Sequence, residues 1–181
     1  MEQSRFTRLL AATALAAFAG VALADAPADK VARGKYVVTT SGCNDCHTPW
    51  KMGAAGPEPD MSRMLSGHPE KMELSAPPSP PAPWVMTAAA TNTAWSGPWG
   101  VSFTANLTPD AETGLGKWTL RNFRDTIRTG RHMGRGRPIL QPMPIPMYKH
   151  FSDEDLEAIY AYLRTIPPVK NRVPEPLPPQ Q

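Results

Sequence analysis

Cys43-Asn44-Asp45-Cys46-His47 places the only two cysteines of the 181-residue chain three residues apart, with a histidine directly behind the second. On one helical turn, residues at that spacing project to the same side. A pair of thiols and an imidazole so arranged can grip a single flat ligand. The pattern C-x-x-C-H is the attachment signature of c-type haem. The thiols form thioethers to its two vinyl groups, and the imidazole turns under the iron. Two other chemistries use paired cysteines. A structural zinc site would want a second ligand pair of comparable spacing, and the sequence has none. A thioredoxin-like redox pair belongs in a βαβ context, whereas the flanks here read as helical.

The opposite face of the iron needs its own ligand. Candidates are Met143 and Met147 in "QPMPIPMY", Met133 in "RHMGRG", and His68, His132 and His150. A soft thioether favours the reduced state and raises the potential. Met143, between Pro142 and Pro144, is the best held; Met147 lies four residues on along the same stiff loop and remains a competitor.

These residues must be positioned by a helical frame. Residues 28–40 carry Val31, Gly34 and Val38 on one face at helical spacing. Gly34 weakens a helix relative to alanine, so its place there predicts close contact with another backbone. A second helix begins after Thr119 as N-cap, with Leu120, Phe123 and Ile127 on a stripe and Gly130 as its stop. The third follows Ser152, with acids in its first turn, Leu156, Ile159, Tyr160 and Leu163 on the apolar side, and Pro167-Pro168 beyond. Between these two, "GRGRPILQPMPIPMY" reads as an extended, stiff loop. From about residue 51 to 101 periodicity fades and Pro, Met, Gly and Ser accumulate. This predicts a long irregular excursion docked by Trp84, Trp95, Trp99 and Phe103. Residues 169–181 read as a peripheral Pro-rich tail.

The N-terminus has Arg5 and Arg8, an apolar run from Leu9 and the small-x-small pattern Ala22-Leu23-Ala24. It reads as a signal peptide, residues 1–24, removed on export to an oxidising compartment. The apolar run is short for a bilayer span, so no membrane span is expected after cleavage. Formal net charge is +3, and falls to +2 without Arg5, Arg8 and Glu2. That excludes a bulk polyanion binder, and no nucleic-acid partner is expected. Six arginines between residues 121 and 137 nevertheless suggest a basic face that could steer partners.

"RGKYVVTTSGCNDCHTP", "NLTPDAETGLGKWTLRNFRDTIRTG" and "LQPMPIPMYKHFSDEDLEAIYAYLRTIPPV" together resemble a class I, single-haem cytochrome c of the bacterial periplasm. They are similar above all to haem modules of dehydrogenase-associated cytochrome c subunits. The resemblance runs from about Lys30 to Val169, outside most of 51–101. It implies an all-α class I fold, a few helices around a covalent haem, within residues 25–168 and interrupted by the insertion. It also implies that Met143 is the distal ligand, so that Cys43, Cys46, His47 and Met143 bind the cofactor and His47 and Met143 hold its iron. Gly34 and Tyr36 are then expected to cross Tyr162 and Leu163. The neighbourhood of Pro49 is expected to orient the imidazole through a backbone carbonyl, with Asn106 and Trp118 near the haem propionates. Many such relatives carry two or three haems, whereas one motif and no spare cysteine imply one here. With both axial positions filled by protein, the accessible chemistry is one-electron exchange. The expected function is therefore a periplasmic electron carrier, not an enzyme, whose partners are redox proteins: a dehydrogenase, another cytochrome or an oxidase. The alternative is a gas-binding or catalytic haem protein whose sixth position is open or displaceable.

Overall fold

Helices α1 (Pro27–Thr40) and α5 (Asp153–Leu163) cross at Gly34 in the computed structural model, which describes residues 27–74, 80 and 82–179. The expected signal segment lies outside the described residues. A Cβ on Gly34 would overlap the Ala158 carbonyl and come within 2.8 Å of Tyr162 Cβ. Only glycine lets the two backbones meet this closely, and the packing offsets its cost to the helix. Val37 and Val38 follow Gly34 onto the buried face and pack in one core with Leu156, Ile159 and Leu163. Tyr36 does not join the crossing. Two residues past Gly34 it falls on the outer side, where it is 60% exposed with the Arg33 guanidinium 5.5 Å from its ring.

The other helices form where the end signals lie. Thr119 and Asn122 make a reciprocal capping box at the start of α3 (Leu120–Thr129), and Gly130 closes it in the left-handed conformation. Phe123 and Ile127 are buried. Ser152 caps α5 by accepting from the Asp155 amide, and three acids occupy its positive end. The proline-rich connection, expected to be extended, instead runs through a series of turns and winds into one short helix, α4 (Ile145–Tyr148). The cysteine motif itself is α2 (Cys43–His47).

Described parts of the excursion form strands, which corrects the all-α expectation. Strands β1 (Trp50–Gly53) and β2 (Gly56–Pro59) pair as an antiparallel hairpin. A three-stranded antiparallel sheet follows, ordered β3 (Thr87–Ala88), β4 (Ala94–Gly97), β5 (Gly100–Phe103). Strands of two to four residues are too short for alternation to be visible in sequence. Trp95, Trp99 and Phe103 are partly buried and dock this sheet, whereas Trp84 is exposed. The C-terminal segment is fastened too: Val101 and Leu177 exchange backbone hydrogen bonds of 3.0 and 2.9 Å. Among the described residues no helix is long and apolar enough to cross a membrane.

Gly34→Ala is expected to lower stability by about 1–3 kcal/mol, because an added methyl in a packed crossing must push the helices apart. A lower urea midpoint with an unchanged slope would record it.

Candidate haem site

Gly42, with φ 73, turns the chain from α1 into α2 and swings the two cysteines and His47 to one side. Beside them lies a mainly apolar cavity of about 520 Å³, walled by Val38 of α1, by apolar side chains of α3 and α5, and by the stretches around residues 102–118, 137–144 and 172–176. Cys43, Cys46, His47 and Met143 all reach its wall. The sequence-distant residues expected to bind the cofactor therefore share one space, of a size suited to a small organic group.

His47 is buried, and its Nδ1 lies 2.7 Å from the Ala105 carbonyl oxygen. A carbonyl only accepts, so Nδ1 carries the proton and donates, leaving the Nε2 lone pair free for a metal. The orienting carbonyl is thus that of Ala105, and the expectation that the Pro49 neighbourhood supplies it is corrected: Pro49 accepts from the Asp60 amide instead. Loop contacts hold Ala105 in place. The Gly67 amide donates to the His47 carbonyl and the His68 amide to the Thr104 carbonyl. Gly67, with φ 77, has no room for a Cβ against Thr104 and Ala105. Burial pushes the His47 imidazole below its ordinary value, keeping it neutral, and pushes Cys43 up to about 11 and Cys46 upward. Two neutral thiols and a neutral imidazole on one turn, beside an apolar cavity that a thioether also lines, are the donor set a covalently tethered haem requires.

The Met143 loop is tied at both ends. Ser102 Oγ on β5 donates to the Gln141 carbonyl at 2.6 Å, and Tyr148 Oη on α4 donates to the Ser41 carbonyl just before α2. Neither tie has a sequence signal, because both acceptors are backbone. Met147 is 72% exposed and, like Met133 and His150, lies off the cavity wall. His132 does reach the wall, on its exposed side, edge-on to Trp118 at 5.1 Å. His68 is 0% exposed and directed elsewhere, its Nδ1 2.9 Å from Thr93 Oγ1 and its Nε2 3.1 Å from the Met72 carbonyl. Asn106 and Trp118 both line the cavity. The Asn106 amide is spent away from the cavity, donating to the Val169 carbonyl of the C-terminal segment at 2.8 Å and accepting from Thr108.

The arginine-rich face is partly compensated. Arg124 and Arg128 both reach Asp153, Arg121 pairs with Asp125, and Arg137 pairs with Glu175. Folding brings Asp153 of the first turn of α5 onto α3, so the sequence run overstates the free positive charge.

A family model for cytochrome c matches residues 31–167. The chain is similar to a subunit of nicotinate dehydrogenase from Pseudomonas putida, 35% identical over 77 residues, which are 42% of this chain and 6% of that protein. It is similar to the cytochrome c subunit of alcohol dehydrogenase (quinone) of Gluconobacter oxydans, 28% identical over 96% of this chain and 30% of that protein. It also resembles the gluconate 2-dehydrogenase cytochrome c subunit of Pantoea cypripedii, 39% identical over 36% of this chain and 14% of that protein. The chain thus spans under a third of the length of each of these relatives.

Burial pushes the His68 imidazole below its ordinary value. The stability it contributes is complete above about pH 6.5 and is lost as pH falls from there through its depressed folded value. Urea midpoints measured between about pH 7.5 and 5 are expected to decline more steeply for the wild type than for His68→Gln.

Proposed function

We propose that this chain, which belongs to the cytochrome c family, is an exported one-electron carrier whose single haem is tethered by Cys43 and Cys46 and held axially by His47 and Met143. The family's cofactor is covalent haem c, which when bound supplies a one-electron Fe(II)/Fe(III) couple. The observation that carries the reading is that these four side chains line one largely apolar cavity, while Met133, Met147, His68 and His150 stand off it. His132 is the weaker competitor, since its ring sits on the exposed side and lacks the two ties that fix the Met143 loop.

Each residue then has a defined task. The Ala105 carbonyl, by accepting the Nδ1 proton, makes His47 a stronger donor and fixes its plane. Phe123, Ile127, Leu156 and Leu163 line the cavity with apolar surface, and Met143 would offer the haem iron a soft sulfur. With both positions filled by protein, no site is left for a substrate, which favours electron transfer over catalysis.

Residues 1–24 serve as the export signal and 25–168 as the haem module, and the mature protein works in the periplasm. The cytochrome subunits of alcohol, gluconate and fructose dehydrogenases among its relatives support a dehydrogenase as electron donor, with another cytochrome or an oxidase as acceptor.

Met143→Ala is expected to abolish the weak far-red band of methionine-bound iron(III), lower the reduction potential and let the reduced protein bind carbon monoxide rapidly. Met147→Ala should leave all three unchanged. Equally rapid carbon monoxide binding by the wild type would overturn the Met143 assignment in favour of a displaceable sixth position.

A further inference from the structure

Asn171 lies in a segment whose proline-rich sequence suggests a loose end, yet it is 2% exposed. Every polar group it owns is engaged. Its Nδ2 donates to the Ser66 carbonyl at 2.7 Å and the His68 carbonyl at 2.8 Å. Its Oδ1 accepts from the Glu70 amide at 2.9 Å and from Arg63 at 3.2 Å. Its own amide donates to Thr113 Oγ1 at 2.9 Å, and its carbonyl accepts from Asn106 Nδ2 at 3.3 Å. A buried amide satisfied at all these positions is a costly arrangement to break, because each partner would be left unpaired out of water.

The two stretches that Asn171 joins are those flanking Ala105. On one side, residues 66–68 carry the amides that bond the His47 and Thr104 carbonyls. On the other, Asn106 follows Ala105 directly in the chain. The carbonyl that accepts from His47 Nδ1 therefore hangs between two supports that share one buried residue, the first held by the Asn171 side-chain amide and the second by its main-chain carbonyl. Beyond Asn171, residues 172–176 continue along the cavity wall, closed by the Arg137–Glu175 pair at 3.2 Å.

We propose that Asn171 is a positioning residue for the axial histidine, acting through the Ala105 carbonyl. The inference rests on the reading of His47 as iron ligand. Loss of the amide frees the 66–68 stretch, whose His68 amide holds the Thr104 carbonyl next to Ala105; that weakens the Nδ1–H···O bond and makes the imidazole a poorer donor. The oxidised state is then less favoured, and the ring is freer to rotate.

The test uses the matured, haem-loaded full chain, with two readouts: the equilibrium with a one-electron mediator, and the haem methyl resonances of the oxidised protein, whose spread follows the plane of the axial imidazole. Asn171→Ala is expected to shift the equilibrium on the order of tenfold toward the reduced protein and to change the methyl spread. Asn171→Ser, which keeps one donor and one acceptor, should give a smaller change in the same direction, and is read alone if the alanine variant does not mature. A chain ending at Arg172 retains Asn171 but lacks the strap along the cavity, and should keep the wild-type methyl spread. Asn171 variants that leave both readouts unchanged would overturn the proposal, as would a truncation that reproduces their effect, since the cause would then be solvent access. His47→Ala separates the two layers. If it leaves the wild-type low-spin spectrum intact, the ligand reading itself fails. If it abolishes that spectrum while the Asn171 variants are silent, only the positioning role fails.

Discussion

One hydrogen bond organises this molecule, that from the buried His47 imidazole to the Ala105 carbonyl at 2.7 Å. A side chain with a neutral ring and one donor nitrogen can present the other nitrogen to a metal only if the donor has a fixed partner. The acceptor lies 58 residues away in sequence, so the chain must fold a long excursion back onto α2 to deliver it. Much of the architecture follows from that need. The β4–β5 hairpin leads into residues 104–106, Gly67 permits the close approach, and the tail holds the assembly from outside.

The second constraint is the cavity. A space of about 520 Å³ amid the core is tolerable only because a large apolar cofactor belongs there; otherwise its lining would lose the dispersion contacts that close packing provides. The α1–α5 crossing at Gly34 closes one side as a rigid unit. The Met143 loop closes another, held by bonds to β5 and to the α1–α2 junction. A site whose walls are fastened on each side changes little in geometry between two oxidation states, which suits a carrier.

The legible parts of this structure were those encoded locally. The C-x-x-C-H turn, the capping box at Thr119, the cap at Ser152 and the stop at Gly130 each depend on residues within a few positions, and each forms where its sequence signal lies. The cost of Gly34 is legible as a contact, and helical geometry turns Tyr36, two residues on, outward and away from the crossing. What could not be read depended on partners far along the chain. The sheets of the excursion are built from strands too short to show a period. The imidazole's acceptor is a backbone carbonyl and leaves no trace in residue type. Arg124 and Arg128 of α3 share an acid, Asp153, that only folding brings near. Asn171 looks like any turn residue in a proline-rich tail, and nothing local marks it as buried.

The central assignment of His47 and Met143 to the iron is tested by near-infrared magnetic circular dichroism of the oxidised wild-type protein, which reads the ligand pair without any substitution. The energy of the porphyrin-to-iron charge-transfer transition separates histidine–methionine from bis-histidine coordination and both from a high-spin centre. His47 and Met143 on the iron require the histidine–methionine position. A bis-histidine band, which would bring His132 into the iron's coordination, or a high-spin spectrum with an open sixth site, would contradict that pairing.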